Sequence, residues 1–132
     1  MNRLTGSHTR SMIYLLLFVL GGGLYVTLEF FWRGYSHVSM FLAGGASLLL
    51  LGGVTLRFPG LPLLALCAVG AVLITAVEFL TGAVVNVLLK LNVWDYSDLP
   101  LNLYGQVCAR YSLLWFALSA PGAALVQVMN AI

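Results

Sequence analysis

Leu63-Leu64-Ala65-Leu66-Cys67-Ala68-Val69-Gly70-Ala71-Val72-Leu73-Ile74-Thr75-Ala76-Val77-Glu78-Phe79-Leu80-Thr81-Gly82-Ala83-Val84-Val85-Asn86-Val87-Leu88-Leu89 is interrupted by one charge, Glu78. A hydrocarbon core about 30 Å thick is crossed by roughly 20 apolar residues. At 1.5 Å per residue this stretch would run to about 40 Å. It therefore has to tilt, project beyond the membrane or break near Thr81-Gly82. Two prolines around a glycine, in Arg57-Phe58-Pro59-Gly60-Leu61-Pro62, set its start, because no helix continues through them.

The same pattern extends outward along the 132 residues. Helix one is expected over about 12–31, helix two over 39–56, helix three over 63–89 and helix four over 101–128. The chain is 61% hydrophobic and 8% charged, with a mean hydropathy of +1.01, against about 25% charged residues in soluble domains. So few charges cannot clothe a water-facing surface. The expected fold is an all-α membrane protein: one transmembrane domain over 1–132 with four short-looped helices. Met12 to Phe31, after Arg3 and Arg10, has a signal-peptide layout, but the apolar run is long and lacks a small-x-small cleavage site, which predicts an uncleaved first helix.

Trp32, Arg33 and Tyr35 together make an interface anchor. Helix two carries Ala43, Gly44, Gly45, Ala46, Ser47, Gly52 and Gly53, which let backbones approach closely in lipid. It is expected to be enclosed by the other helices and to offer a close-packing face to a second copy. Arg3, Arg10 and Arg57 flank one side, whereas Arg33 and Lys90 on the other are opposed by Asp95 and Asp98. The positive-inside rule then puts both termini in the cytoplasm. Tyr35-Ser36-His37 to Gly44 aligns with Tyr96-Ser97-Asp98 to Gly105, and Glu29-Phe30 and Glu78-Phe79 lie upstream of the two blocks. This pattern reads as a duplicated two-helix hairpin, with coincidence among common membrane residues as the alternative.

The basic residues form no patch of the kind that attracts nucleic acid. Cys67 and Cys108 fall in apolar stretches, where a thiol behaves as a small hydrophobe. No Walker A, His-Glu-x-x-His, Ser-His-Asp or Cys-x-x-Cys pattern occurs, which disfavours a hydrolytic enzyme and implies no cofactor.

An acidic residue at the centre of a spanning helix costs about 2.5–3.5 kcal/mol on insertion scales, so Glu29 and Glu78 are functional candidates. Thr75, Gly82 and Asn86 lie at i−3, i+4 and i+8 from Glu78 and share its face. Tyr25, one turn before Glu29, can hydrogen-bond its carboxyl. In helix four, Asn102, Gln106 and Arg110 fall at i, i+4 and i+8. Arg110 is estimated at a depth similar to Glu78, and the two are expected to meet, either as an ion pair that fixes packing or as a substrate or proton site. Glu29 has no evident cation within the membrane and is the sharper candidate for exchanging a proton or cation; the alternative is an interfacial carboxylate close to Arg33. The outer linker, Trp94-Asp95-Tyr96-Ser97-Asp98, reads as an aromatic anchor in which Asp98 caps helix four. Asp95 and Asp98 alone supply too few oxygens for a metal.

Trp94-Asp95-Tyr96-Ser97, followed by Pro100, Asn102, Gly105, Cys108, Ser112 and Trp115 and preceded by Glu78 and Gly82, resembles the ABC-transporter type IV family, also called CmpB-like permeases. The hydrophobic layout matches over nearly the whole chain. This resemblance implies a bacterial inner-membrane, multi-pass permease component. Three functions stay open: a permease or channel-like homo-oligomer handling a cation or protons, a non-transporting subunit that docks a membrane protein partner, and a membrane-embedded enzyme acting on lipid.

Overall fold

A computed structural model describes residues 3–131. The order is α1 (Arg3–Arg33), α2 (Val38–Arg57), α3 (Leu63–Gly82), a π-helical segment (Ala83–Leu88), two short strands β1 (Asn102–Leu103) and β2 (Val107–Cys108), and α4 (Ala109–Ala131). All four α-helices have membrane-crossing length and hydropathy, the third together with its π-helical extension. Each turns back on its predecessor, so α1 pairs mainly with α2 and α3 with α4, while α2 touches both members of the second pair.

Helix α2 is the enclosed one, with 56% of its apolar window buried against 17–22% for the others. The cause is a glycine-lined crossing. A Cβ on Gly44 would lie 2.5 Å from Cβ of Tyr25 and 2.6 Å from the Gly21 carbonyl oxygen; one on Gly45 would lie 2.7 Å from the Phe18 carbonyl oxygen. The face of α2 expected to meet a second copy therefore meets α1 of the same chain at Gly44 and Gly45. The core has two parts. Leu17, Leu48, Leu51, Leu66, Ala123 and Val126 fill the end nearer the chain termini. Met40, Val85, Val93 and Trp94 fill the end bearing the 34–37 and 89–108 connections, here termed the loop end.

Two expectations about helix boundaries change. The break near Thr81-Gly82 is a switch of hydrogen-bonding pattern: α-helix ends at Gly82 and the chain continues as a π-helix to Leu88. Side chains crowd that point, because a Cβ on Gly82 would sit 2.9 Å from the Trp94 ring and press on Gln106. Helix four starts at Ala109, eight residues later than expected from the apolar run at 101. Residues 101–108 instead form a hairpin, with Asn102 opposite Cys108 and Leu103 opposite Val107. Gly105 takes φ +71° there, and a Cβ would lie 2.8 Å from Asp95 Oδ1, so only glycine fits. Asp98 is thus not the cap of helix four, and Asn102, Gln106 and Arg110 do not form a helical stripe. Pro121 lies within α4, which runs on to Ala131.

Candidate functional site

Glu78 is 5% exposed, four residues before the end of α3. Its carboxylate accepts from Tyr96 Oη at 3.1 Å and from Trp115 Nε1 at 3.3 Å. One donor comes from the 89–108 connection and the other from α4. Both are neutral, and the carboxyl has no cationic partner within ion-pairing distance among the described residues. Arg110 is exposed and does not meet Glu78. The estimate of similar depth assumed a helix from Leu101; the hairpin takes up eight of those residues.

Aromatic rings close around this carboxyl. Tyr96 stacks on Tyr111 with centroids 4.8 Å apart, Trp94 lies 6.4 Å from Tyr96, and Tyr25 packs on Trp115 at 5.6 Å. Burial and the neighbouring Glu78 push the Tyr96 phenol well above its ordinary range, which keeps the hydroxyl protonated and able to donate its hydrogen bond to Glu78. A void of about 10 Å³ remains beside Glu78, lined by Tyr25, Ser47, Trp94 and Trp115 among others. That is about the space of one water molecule. One turn further down, Thr75 and Ser112 share a 2.8 Å hydrogen bond between α3 and α4.

The cover over Glu78 is held by side chains that replace missing backbone partners. Asn86 Oδ1 accepts from the Val93 N–H at 2.7 Å and the Trp94 N–H at 3.4 Å, and Asn86 Nδ2 donates to Gln106 Oε1 at 2.9 Å. Trp94 Nε1 donates to the Gln106 carbonyl at 2.9 Å. Asn102 Nδ2 donates to the Leu99 carbonyl at 2.8 Å, and its Oδ1 accepts from the Gly105 N–H. Asp95 Oδ1 accepts from the Ser97 N–H at 2.9 Å; bonds from the Ser97 hydroxyl and then from its amide hold the carboxyl below its ordinary value. Lys90, Asn92, Leu101 and Tyr104 all take left-handed φ between 51° and 55°. Such backbone costs about 1–3 kcal/mol per residue and persists only where surroundings enforce it.

Glu29 does not stand without a cation: Arg33 Nε donates to its Oε2 at 2.5 Å, one helical turn away. The premise of the exchange role, a carboxyl with no cation near it, therefore does not hold, and the proximity to Arg33 is as the alternative expected. Tyr25 packs on Trp115 and makes no hydrogen bond to Glu29 among the described residues. Of the residues expected to act, Glu78, Trp94 and Tyr96 come together, Tyr25 joins them, and Asn86, Gln106 and Asn102 brace the cover. Asp95, Ser97 and Asp98 face outward. Trp115 and Tyr111 were not among the site residues. Their signal was the real stripe of helix four, Tyr111, Trp115 and Ser119 at i, i+4 and i+8.

Four membrane-length helices around a buried, neutrally solvated carboxyl define a multi-pass membrane protein with a polar site at its loop end. A family model described as "Putative ABC-transporter type IV" matches residues 8–131, and the chain belongs to that family. No curated protein and no solved structure matches it.

Proposed function

We propose that this chain is a small bacterial inner-membrane permease or channel-like subunit in which Glu78 takes up a proton or a cation. The observation that carries this reading is a buried carboxyl held by two neutral donors and no permanent cation. An ion pair would fix the charge, whereas this arrangement leaves it to be neutralised by whatever binds. The surrounding rings favour a cation as well, since aromatic faces attract positive charge within about 6 Å. Glu29 is left a positional role, because Arg33 already neutralises it.

Access requires movement of Tyr96, since the void beside the carboxyl is one water in size. A path at an interface between copies is easier to build than one through four close-packed helices, and the outward faces of α1, α3 and α4 are available for it. The basic residues Arg3, Arg10 and Arg57 support cytoplasmic termini, with the Glu78 cover on the opposite side. Reconstituted protein should carry protons or monovalent or organic cations into liposomes, and Glu78→Gln should abolish that flux while unfolding like wild type. Flux no greater than in empty vesicles, or equal flux from Glu78→Gln, would replace this reading with that of a non-transporting interaction subunit.

A further inference from the structure

At the end of the bundle remote from Glu78, an open groove of about 730 Å³ runs along the last turns of α2, bordered by Ile13 and Tyr14 of α1, Leu73 of α3 and Asn130 of α4. Its volume falls within the roughly 300–1,000 Å³ typical of small-molecule sites. Its lining changes character with depth. Its polar lining residues Tyr14, Arg57 and Asn130 are exposed, while Leu49, Val54 and Leu73 are half-buried. Leu49 lies eight residues before Arg57, about 12 Å along α2, and Leu73 ten residues into α3, about 15 Å from its start. That reach is half of a hydrocarbon core about 30 Å thick, the length of a single leaflet. Gly53 lines the groove, and a Cβ there would meet nothing within 4 Å.

We propose that this groove binds one phospholipid with an anionic headgroup, its phosphate on Arg57 and one acyl chain between α2 and α3. The inference is independent of the role given to Glu78. Arg57 ends α2 and is exposed, with no ion-pair partner among the described residues. Its planar guanidinium matches a phosphate with two parallel hydrogen bonds. Tyr14 and Asn130 line the same groove and bring a hydroxyl and an amide for the remaining oxygens. Below them the wall is aliphatic, so a free anion would use only the mouth and a neutral lipid only the depth. Basic pockets between helices at the cytoplasmic face are where anionic headgroups are commonly held.

The test is lipid retention by the purified full-length chain, read by native mass spectrometry after equilibration with equimolar phosphatidylglycerol and phosphatidylcholine. Wild type should retain the anionic lipid at least tenfold over the zwitterionic one. Arg57→Gln should erase that preference, and Gly53→Leu, which fills the groove without touching the charge, should lower retention of both. Each variant should keep the wild-type thermal unfolding midpoint in lipid-free detergent. Equal retention of the two lipids by wild type, or an undiminished preference in Arg57→Gln, would overturn the proposal. So would displacement of the lipid by inorganic phosphate alone, which would assign the mouth to a free anion.

Discussion

Arg33 Nη1 donates to the Val93 carbonyl at 2.7 Å, joining the last residue of α1 to a residue sixty positions later. The same guanidinium holds Glu29 and lies 4.5 Å from the centre of the Tyr35 ring. One side chain therefore fastens the cover over Glu78 to the first helix hairpin. Arg33→Gln is expected to lower stability by about 1.5–3 kcal/mol, the range for a hydrogen bond to a charged group, and to speed amide exchange at Trp94 and Tyr96 more than in α2. Uniform acceleration across all helices would contradict a local latch.

The bond from Tyr96 to Glu78 can be isolated by a double-mutant cycle. Tyr96→Phe should cost about 1 kcal/mol in the wild-type background and close to nothing in Glu78→Leu, as measured by denaturant unfolding in detergent. Identical costs in both backgrounds would mean that the hydroxyl serves some other partner.

The crossing of α1 and α2 sets a third expectation. Gly44→Leu should destabilise by about 1–3 kcal/mol through overpacking, since even its Cβ would press on Tyr25 and the Gly21 carbonyl. Gly23→Ala, two residues from that contact and open on its own side, should match or exceed wild type. The pair of unfolding midpoints checks this, and a tolerant Gly44 would show that the helices separate easily.

Acid should loosen the turn at Asp95. Its folded carboxyl binds a proton less readily than the unfolded chain, whose ordinary value is 3.8. The contribution is therefore complete above that value and is lost as pH falls through the lower folded one. The protection factor of the Ser97 amide, its exchange rate taken relative to the intrinsic rate at each pH, should fall in wild type as pH drops below that range and stay level in Asp95→Asn. A flat wild-type profile would remove the link.

Hydropathy made the four spans legible, because a bilayer admits few alternatives to apolar helices. The Pro59-Gly60-Leu61-Pro62 turn and the change near Gly82 were legible for equally local reasons. The start of helix four was not. Leu101-Asn102-Leu103-Tyr104 looks helical by polarity, but the Asn102 and Gln106 amides serve loop backbone groups, and only tertiary packing of Trp94 and Val93 makes that arrangement worthwhile. The partner of Glu78 was misjudged for the same reason: placing Arg110 opposite it required a helix in which residues 101–108 take no part. The blocks beginning Tyr35-Ser36 and Tyr96-Ser97, alike in sequence, differ in shape, since the first leads into α2 at Val38 and the second folds a hairpin before α4 begins.

The π-helical segment after Gly82 gives the chain a place to absorb a change in length. An i→i+5 ladder houses more residues per turn than the i→i+4 ladder on its amino-terminal side. Loss of one residue between Val84 and Val87 can be taken up by rewinding that turn as ordinary α-helix, with α3 left in register. The same loss between Gly70 and Ile74 would rotate everything beyond it by about 100° relative to the start of the helix, turning Glu78 away from Trp115 and Tyr96. Natural length variants of this chain should accordingly gather in residues 83–88 and be absent from the three turns before them.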